Sequence, residues 1–333
     1  GFYMPNQVSY TDYYSAQMQF IDRYIRKDFT KQDSHRIARI QQLQSQQKIY
    51  FLPEFLNVEM GHELDTTRLG YRPISNVNYH TGELLLAPSA AFIKPTNRRL
   101  TRYRLIYGPV DFYLGTQLEQ TVEIPVITAC APNMMGSSQI DLDEFSKGGG
   151  DNRDLKHIEY EKECRKLANF IVGTVKAQGQ QRLIMPAFGV GVYVQKLNAQ
   201  SKKDARAIMF KAFAAAAQKY QIDIDWIVWG GDRAPLSIVQ KLASYAPNNN
   251  FMHPIVHMDM LEYAQHGAQM HEKIVVLNPG SDRTIGGAYT HQNPKTLEEQ
   301  IAQQSDLLFL HSDLNKPMVN QFRANWAQIK ETT

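Results

Sequence analysis

The period of hydrophobic and polar positions changes twice along the chain. Over residues 1 to about 50, Phe20, Tyr24, Ile25, Ile37 and Ile40 stand among charges at helical spacing, which predicts mostly helix. The glutamine-rich RIQQLQSQQ is expected to be a surface helix. From Ile49 to about Thr121 the apolar runs IYFLPEFLNVEMG, ELLLAPSAAFIKP and LIYGPVDFYLG are short and broken by Pro and Gly, which predicts strands and loops without a helical period. From Val122 onward the two patterns alternate. TVEIPVITACA, RLIMPAF, IDIDWIVWGG, HPIVHMDM and KIVVLNPG read as strands. Helices are expected from Leu155 to Lys176, about Lys202 to Tyr220, Pro235 to Tyr245, through LEYAQHGAQM, and from Thr296. This alternation predicts an α/β fold with helices on both faces of a sheet, a class that binds ligands at the carboxyl ends of its strands. In SKKD, Ser201 precedes Asp204 by three residues, a capping pattern for the helix that follows. SSQIDLDEFSKGGGDNRD is acidic and glycine-rich with no period, and is expected to be a mobile loop.

Composition narrows the picture. The chain has 333 residues, 43% of them hydrophobic, enough for a large core and an expected division into residues 1–120 and 121–333. A formal charge of +3 without a clustered stripe does not predict nucleic-acid binding. The nearest approach to a stripe, NRRLTRYR from Asn97 to Arg104, alternates Leu100, Tyr103 and Leu105 with arginines and better suits a half-exposed strand. Cys130 and Cys164 are the only thiols, and no CxxC or Cys/His spacing points to zinc or a redox couple. A reducing, cytoplasmic compartment is therefore expected. No apolar run reaches the roughly 18 residues that cross a bilayer, so no membrane partner is expected. The chain opens on Gly1, not an initiator Met, and shows no signal-peptide pattern, so a start upstream of Gly1 is expected.

Two strand exits carry candidate chemistry. In RLIMPAFGVGVYVQ, Gly189 and Gly191 flank Val190 and lead into Val192 and Tyr193, so consecutive amides can turn toward one point and cradle a phosphate. KIVVLN ends on Asn278, and Gly286 and Gly287 beyond it let the backbone approach a ligand with no Cβ in the way. Each exit alone is equally an ordinary turn; on one sheet edge the two can face a single ligand. Glu298 and Glu299 open the last helix about 100° apart, so only one of them should face that ligand. Gly148 to Asp151 also spell a triple glycine and Asp, but no hydrophobic strand precedes them, and a flexible loop is the expected reading.

Four stretches together resemble macrodomains of the bacterial poly(ADP-ribose) glycohydrolase type. VVLNPGSDRTIGGAYTHQNPKTLEEQIAQQSDLL is similar to a signature in which an Asn-ended strand precedes a triple glycine and a Gln-Glu-Glu helix start. Gly286, Gly287 and Ala288 fall on the triple glycine, and Leu297, Glu298 and Glu299 on Gln-Glu-Glu. VEIPVITACAPN, ending on Asn133, and LIMPAFGVGVY resemble the Ala-Pro-Asn exit and the phosphate loop. In IVHMDMLEYA, Asp259 matches the Asp that holds the adenine amino group. The match covers about Val122 to Leu310. It departs at Ala288, at Leu297, in a spacer one residue longer before the glutamates, and in order: the glycine and glutamate half here follows the other half.

The resemblance implies a macrodomain-like three-layer sandwich with a central mixed sheet, circularly permuted, plus an N-terminal helical and strand extension. It implies ADP-ribose as ligand with no cofactor and no metal. The implied activity is an ADP-ribosylhydrolase with Glu299 as its acid, Glu298 beside it, and Asp282 as a second carboxylate that orients the distal ribose or a basic leaving group. Tyr193 would pack on ribose or phosphate. A bacterial effector of this type implies ADP-ribosylated protein as partner, with arginine-linked ubiquitin as one candidate, in the host cytosol. Two alternatives stay open: a non-catalytic ADP-ribose-binding module, and a protein that recruits a host partner through residues 1–120.

Overall fold

The computed structural model describes residues 10–51, 77–78, 83–84, 104–114, 118, 120–135, 139–227, 255–256, 260–270, 272–280, 289 and 296–311. Helices α1 (Tyr10–Arg26) and α2 (Asp33–Gln44) precede strands β1 (Lys48–Phe51), β2 (Val77–Asn78), β3 (Glu83–Leu84), β4 (Arg104–Tyr113) and β5 (Thr121–Ala129). Next come α3 (Gln139–Phe145), β6 (Ser146–Lys147), β7 (Asp154–Leu155), α4 (His157–Ala177), β8 (Arg182–Met185), α5 (Ala199–Tyr220) and β9 (Asp223–Ile227). The described chain closes with β10 (Ile255–Val256), α6 (Met260–Gln269), β11 (Ile274–Pro279), α7 (Leu297–Gln304) and α8 (Leu307–His311).

Seven strands form one mixed sheet in the order β1-β4-β5-β11-β8-β9-β10. The strands from β5 to β10 are parallel, while β4 runs antiparallel to both β5 and β1. β11, the last in sequence of the described strands, lies between β5 and β8, with Val276 paired to both Val126 and Ile184. The expectation that Lys273 to Asn278 shares a sheet with Val122 to Ala129 and Arg182 to Ala187 is therefore met.

Side-chain alternation assigns the two faces. Ile124, Val126, Ile274 and Val276 pack with α1, α2, α6, α7 and α8, whereas Ile127, Ala129, Val275 and Leu277 pack with α4 and α5. A strand covered on both sides needs apolar residues at every position, which is why β11 reads IVVL without interruption. On the first face Phe20 of α1 meets Phe309 of α8 edge to face at 5.2 Å, and burial of each ring contributes about 1.5–3 kcal/mol. α2 turns Ile40 and Leu43 inward and leaves Gln41 and Gln42 in solvent, the expected surface helix.

Two expectations change. α5 starts one turn before SKKD: Asn198 is its cap and accepts the Ser201 amide at 2.8 Å, while buried Ser201 accepts the Leu155 amide at 3.0 Å. From Gln139 on, the glycine-rich insertion is built into the fold, because Leu142 and Phe145 enter the second core and Arg153 bonds Ser146 Oγ at 2.8 Å and the Gly148 carbonyl at 2.6 Å. Residues before 121 extend the sheet, since β4 pairs with β5 through nine positions and β1 pairs with β4. The helix expected over 235–245 and the segment Asn97 to Tyr103 lie outside the described residues. Among the described residues no helix is long and apolar enough to cross a membrane.

Candidate functional site

Parallel strands end on one edge, so the exits of β5, β11 and β8 are neighbours. The Met134 amide donates to the Tyr193 carbonyl at 2.8 Å, and the Gly280 amide to the Ala129 carbonyl at 2.9 Å, tying the three loops together. Gly189 is required by this junction. Its φ is +68°, and a Cβ there would stand 2.2 Å from the Ala131 Cβ. Gly191 is different: it is exposed, and a Cβ would meet nothing within 4 Å. Buried Val190 and Val194 pin the loop to the core, whereas Val192 is 53% exposed. Val192–Val194 form a single 3₁₀ turn in which Val194 and Gln195 donate to the Gly191 and Val192 carbonyls, so the Gly191 and Val192 amides fall outside the turn's own bonds. Tyr193 packs partly against the second core.

Asn133 is buried, with a role the sequence did not show. Its amide donates to Asp141 Oδ2 at 2.8 Å and its Oδ1 accepts the Met135 amide at 3.0 Å, so it holds the shape of the β5 exit. Asp141 belongs to the segment expected to be a loop, and nothing in its spacing marked it.

Asn278 follows the alternation of Ile274 and Val276, which places its side chain on the face covered by α7. Its Nδ2 donates to Thr128 Oγ1 at 3.2 Å, and its buried Oδ1 has no donor among the described residues. α7 returns antiparallel to β11. Its carboxyl end lies at the start of β5, where the Asp306 amide donates to the Asp111 carbonyl at 3.0 Å and Ser305 bridges Phe112. Its amino end therefore lies toward the edge where Asn278 sits. There Glu298 and Glu299 are 5% and 8% exposed.

Glu299 closes a capping box with Thr296, each side chain accepting the other's amide at 3.4 Å. The pattern Thr-x-x-Glu that announces this box stands in TLEE. Gln303 donates to the Tyr289 carbonyl at 2.8 Å and holds that residue against the helix. Asp259, Asp282, Gly286 and Gly287 lie outside the described residues, so Asn133, Asn278, Gly189 to Tyr193, Glu298 and Glu299 are the candidates brought to this edge.

A cleft of about 580 Å³ opens at the opposite edge, lined in part by Arg23, Arg36, Arg39, Asp111 and Asp306. Each carboxylate there is already paired: Asp33 with Arg23, Asp111 and Glu123 with Arg39, Asp306 with Arg36. Burial pushes the Asp306 carboxyl up to about 6, the Arg36 charge opposing it, and burial likewise lowers Arg36 to about 10. For both partners desolvation outweighs attraction. This edge reads as a structural charge network, and the strand exits remain the better candidate site. Among the described residues no group of three His, Cys, Asp or Glu side chains is arranged to hold a metal. Compared with known protein families the chain matches none, and no curated protein is similar to it in sequence.

Proposed function

We propose that the chain is a circularly permuted macrodomain that hydrolyses ADP-ribose from modified protein. One observation carries this reading: β11, the last in sequence of the described strands, lies between β5 and β8, so three exits distant in the chain share one edge. A central strand supplied from the carboxyl end is what rejoining a compact domain at new termini produces. The Gly191 and Val192 amides would take the diphosphate, with Tyr193 against ribose, Asp259 on the adenine amine, and Asn278, Gly286 and Gly287 at the distal ribose. Hydrolysis breaks the bond from ribose C1″ to the protein side chain, water supplies the new C1″ oxygen, and the leaving group takes a proton. Glu299 is the proposed proton carrier, with Glu298 adjacent and Asp282 orienting the leaving group. An arginine linkage would make that group a guanidine, and ubiquitin is one candidate carrier, in a host cytosol.

A non-catalytic ADP-ribose-binding module is the second reading, favoured by the engagement of Glu299 in the capping box. Recruitment of a partner by residues 1–120 is supported less, since α1 and α2 already spend their apolar faces on the core. Titration with free ADP-ribose by calorimetry, followed by turnover of arginine-ADP-ribosylated protein, separates the cases. Binding with turnover supports the enzyme, binding alone the module, and absence of binding removes both.

A further inference from the structure

The network between α1, α2 and α7 is more specific than packing requires. Gln17, fully buried on α1, donates from Nε2 to the Ala302 carbonyl at 3.0 Å and the Ser305 carbonyl at 2.9 Å. These are carbonyls at the carboxyl end of α7, which the helix itself cannot satisfy. Gln17 Oε1 accepts from Arg36 Nη2 at 2.9 Å and stands 3.0 Å from the Tyr113 hydroxyl. Arg36 reaches Asp306 Oδ1 through Nε at 3.2 Å and Nη2 at 2.8 Å, and the Tyr113 hydroxyl donates to the same oxygen. Its guanidinium lies 3.5 Å from the Phe20 ring and 4.4 Å from the Tyr113 ring. Donors from α1, α2 and β4 thus converge on Ala302 in the last turn of α7 and on Ser305 and Asp306, the two residues that follow the helix.

We propose that Gln17 and Arg36 are positioning residues that clamp the carboxyl end of α7 and so set where Glu298 and Glu299 stand at its other end. The inference rests on the reading of those glutamates as the working carboxylates. α7 has eight residues, about 12 Å at 1.5 Å per residue, so a small tilt at the clamp displaces its first turn. A buried ion pair in which desolvation outweighs attraction is a poor source of stability, and its geometry is then the better account of its presence. N-terminal helices outside the strand-helix alternation thereby become part of the catalytic frame.

The test uses the full chain with Gln17→Met, which keeps the length of the side chain and removes both donors, and Arg36→Lys, which keeps the charge and loses the fork. Amide exchange of residues 296–304 should rise about tenfold or more in Gln17→Met, with β11 and α4 unchanged. Turnover of ADP-ribosylated protein should fall about tenfold in kcat with KM within about twofold, and Arg36→Lys should fall between wild type and Gln17→Met. Uniform loss of protection across the chain, unchanged exchange in α7, or faster exchange in α7 with full kcat would each overturn the proposal. If wild-type protein shows no turnover, the enzymatic reading fails; selective loss of protection in α7 then still supports the clamp, and uniform loss refutes it.

Discussion

Asp306→Asn tests the charge network directly. The Asp306 carboxyl, fully buried, has its pKa raised from 3.8 to about 6, burial being the main cause, with Asp111 adding to it and Arg36 and Arg39 opposing. Between those values the folded state holds a proton that the unfolded state releases, so stability falls as pH rises through this window. At about 1.4 kcal/mol per pH unit, the gap corresponds to about 3 kcal/mol. Asparagine does not titrate, so its stability relative to wild type should improve by about 3 kcal/mol from below pH 4 to pH 7. Arg36 titrates only near 10 and stays charged throughout, and its attraction for the Asp306 anion is already contained in the value of about 6, so exchanging the acid for an amide adds only a pH-independent offset. Urea unfolding at pH 4, 5, 6 and 7, followed by fluorescence of buried Trp226, measures both proteins under the same conditions. All other titrating groups cancel in the difference. A difference that stays flat across the window, or that shrinks as pH rises, would refute the assignment of a raised acid to Asp306.

The candidate site makes sharper demands on single residues. Gly191→Glu should fold normally, since its Cβ meets nothing within 4 Å, and should lose ADP-ribose binding by at least about a hundredfold in calorimetry, because it sets negative charge where the diphosphate would lie. Gly189→Ala should instead cost about 2–4 kcal/mol in urea unfolding, from the overlap with Ala131 and the positive φ. Glu299→Gln keeps the capping box, which accepts Gln as well as Glu, so it should retain ligand binding and lose most turnover, with Glu298→Gln milder. Wild-type turnover in Glu299→Gln together with an inactive Asp282→Asn would move the chemistry to the glycine loop. Thr296→Ala should lower stability by about 1 kcal/mol through loss of the cap, measured in the same unfolding experiment.

The periods of the sequence were enough for the main strands and the two long helices. KIVVLN, RLIM and VEIPVITA announce strands because a strand buried on both faces needs a continuous apolar run, and α4 and α5 announce themselves by length. The glycine exits were legible for a similar local reason: a backbone that turns sharply or meets another closely must omit its Cβ, as at Gly189. Local signals also misled. SKKD looked like a cap, but Asn198 takes that position once Ser201 is drawn into the core beside Leu155. The glycine-rich insertion looked formless because Leu142 and Phe145 find their partners only across the fold.

What the sequence by itself determined is the α/β alternation, the buried strands and the turn chemistry of their exits, since each depends on residues within a few positions of one another. Only the tertiary structure decided that β11 enters between β5 and β8, that β1 and β4 extend the sheet, and that Gln17 and Arg36 hold the end of α7 from nearly three hundred residues away in the chain. Strand order and buried polar partners are set by which surfaces exclude water together, and that choice is made over the whole chain, with no trace in the spacing of neighbouring residues.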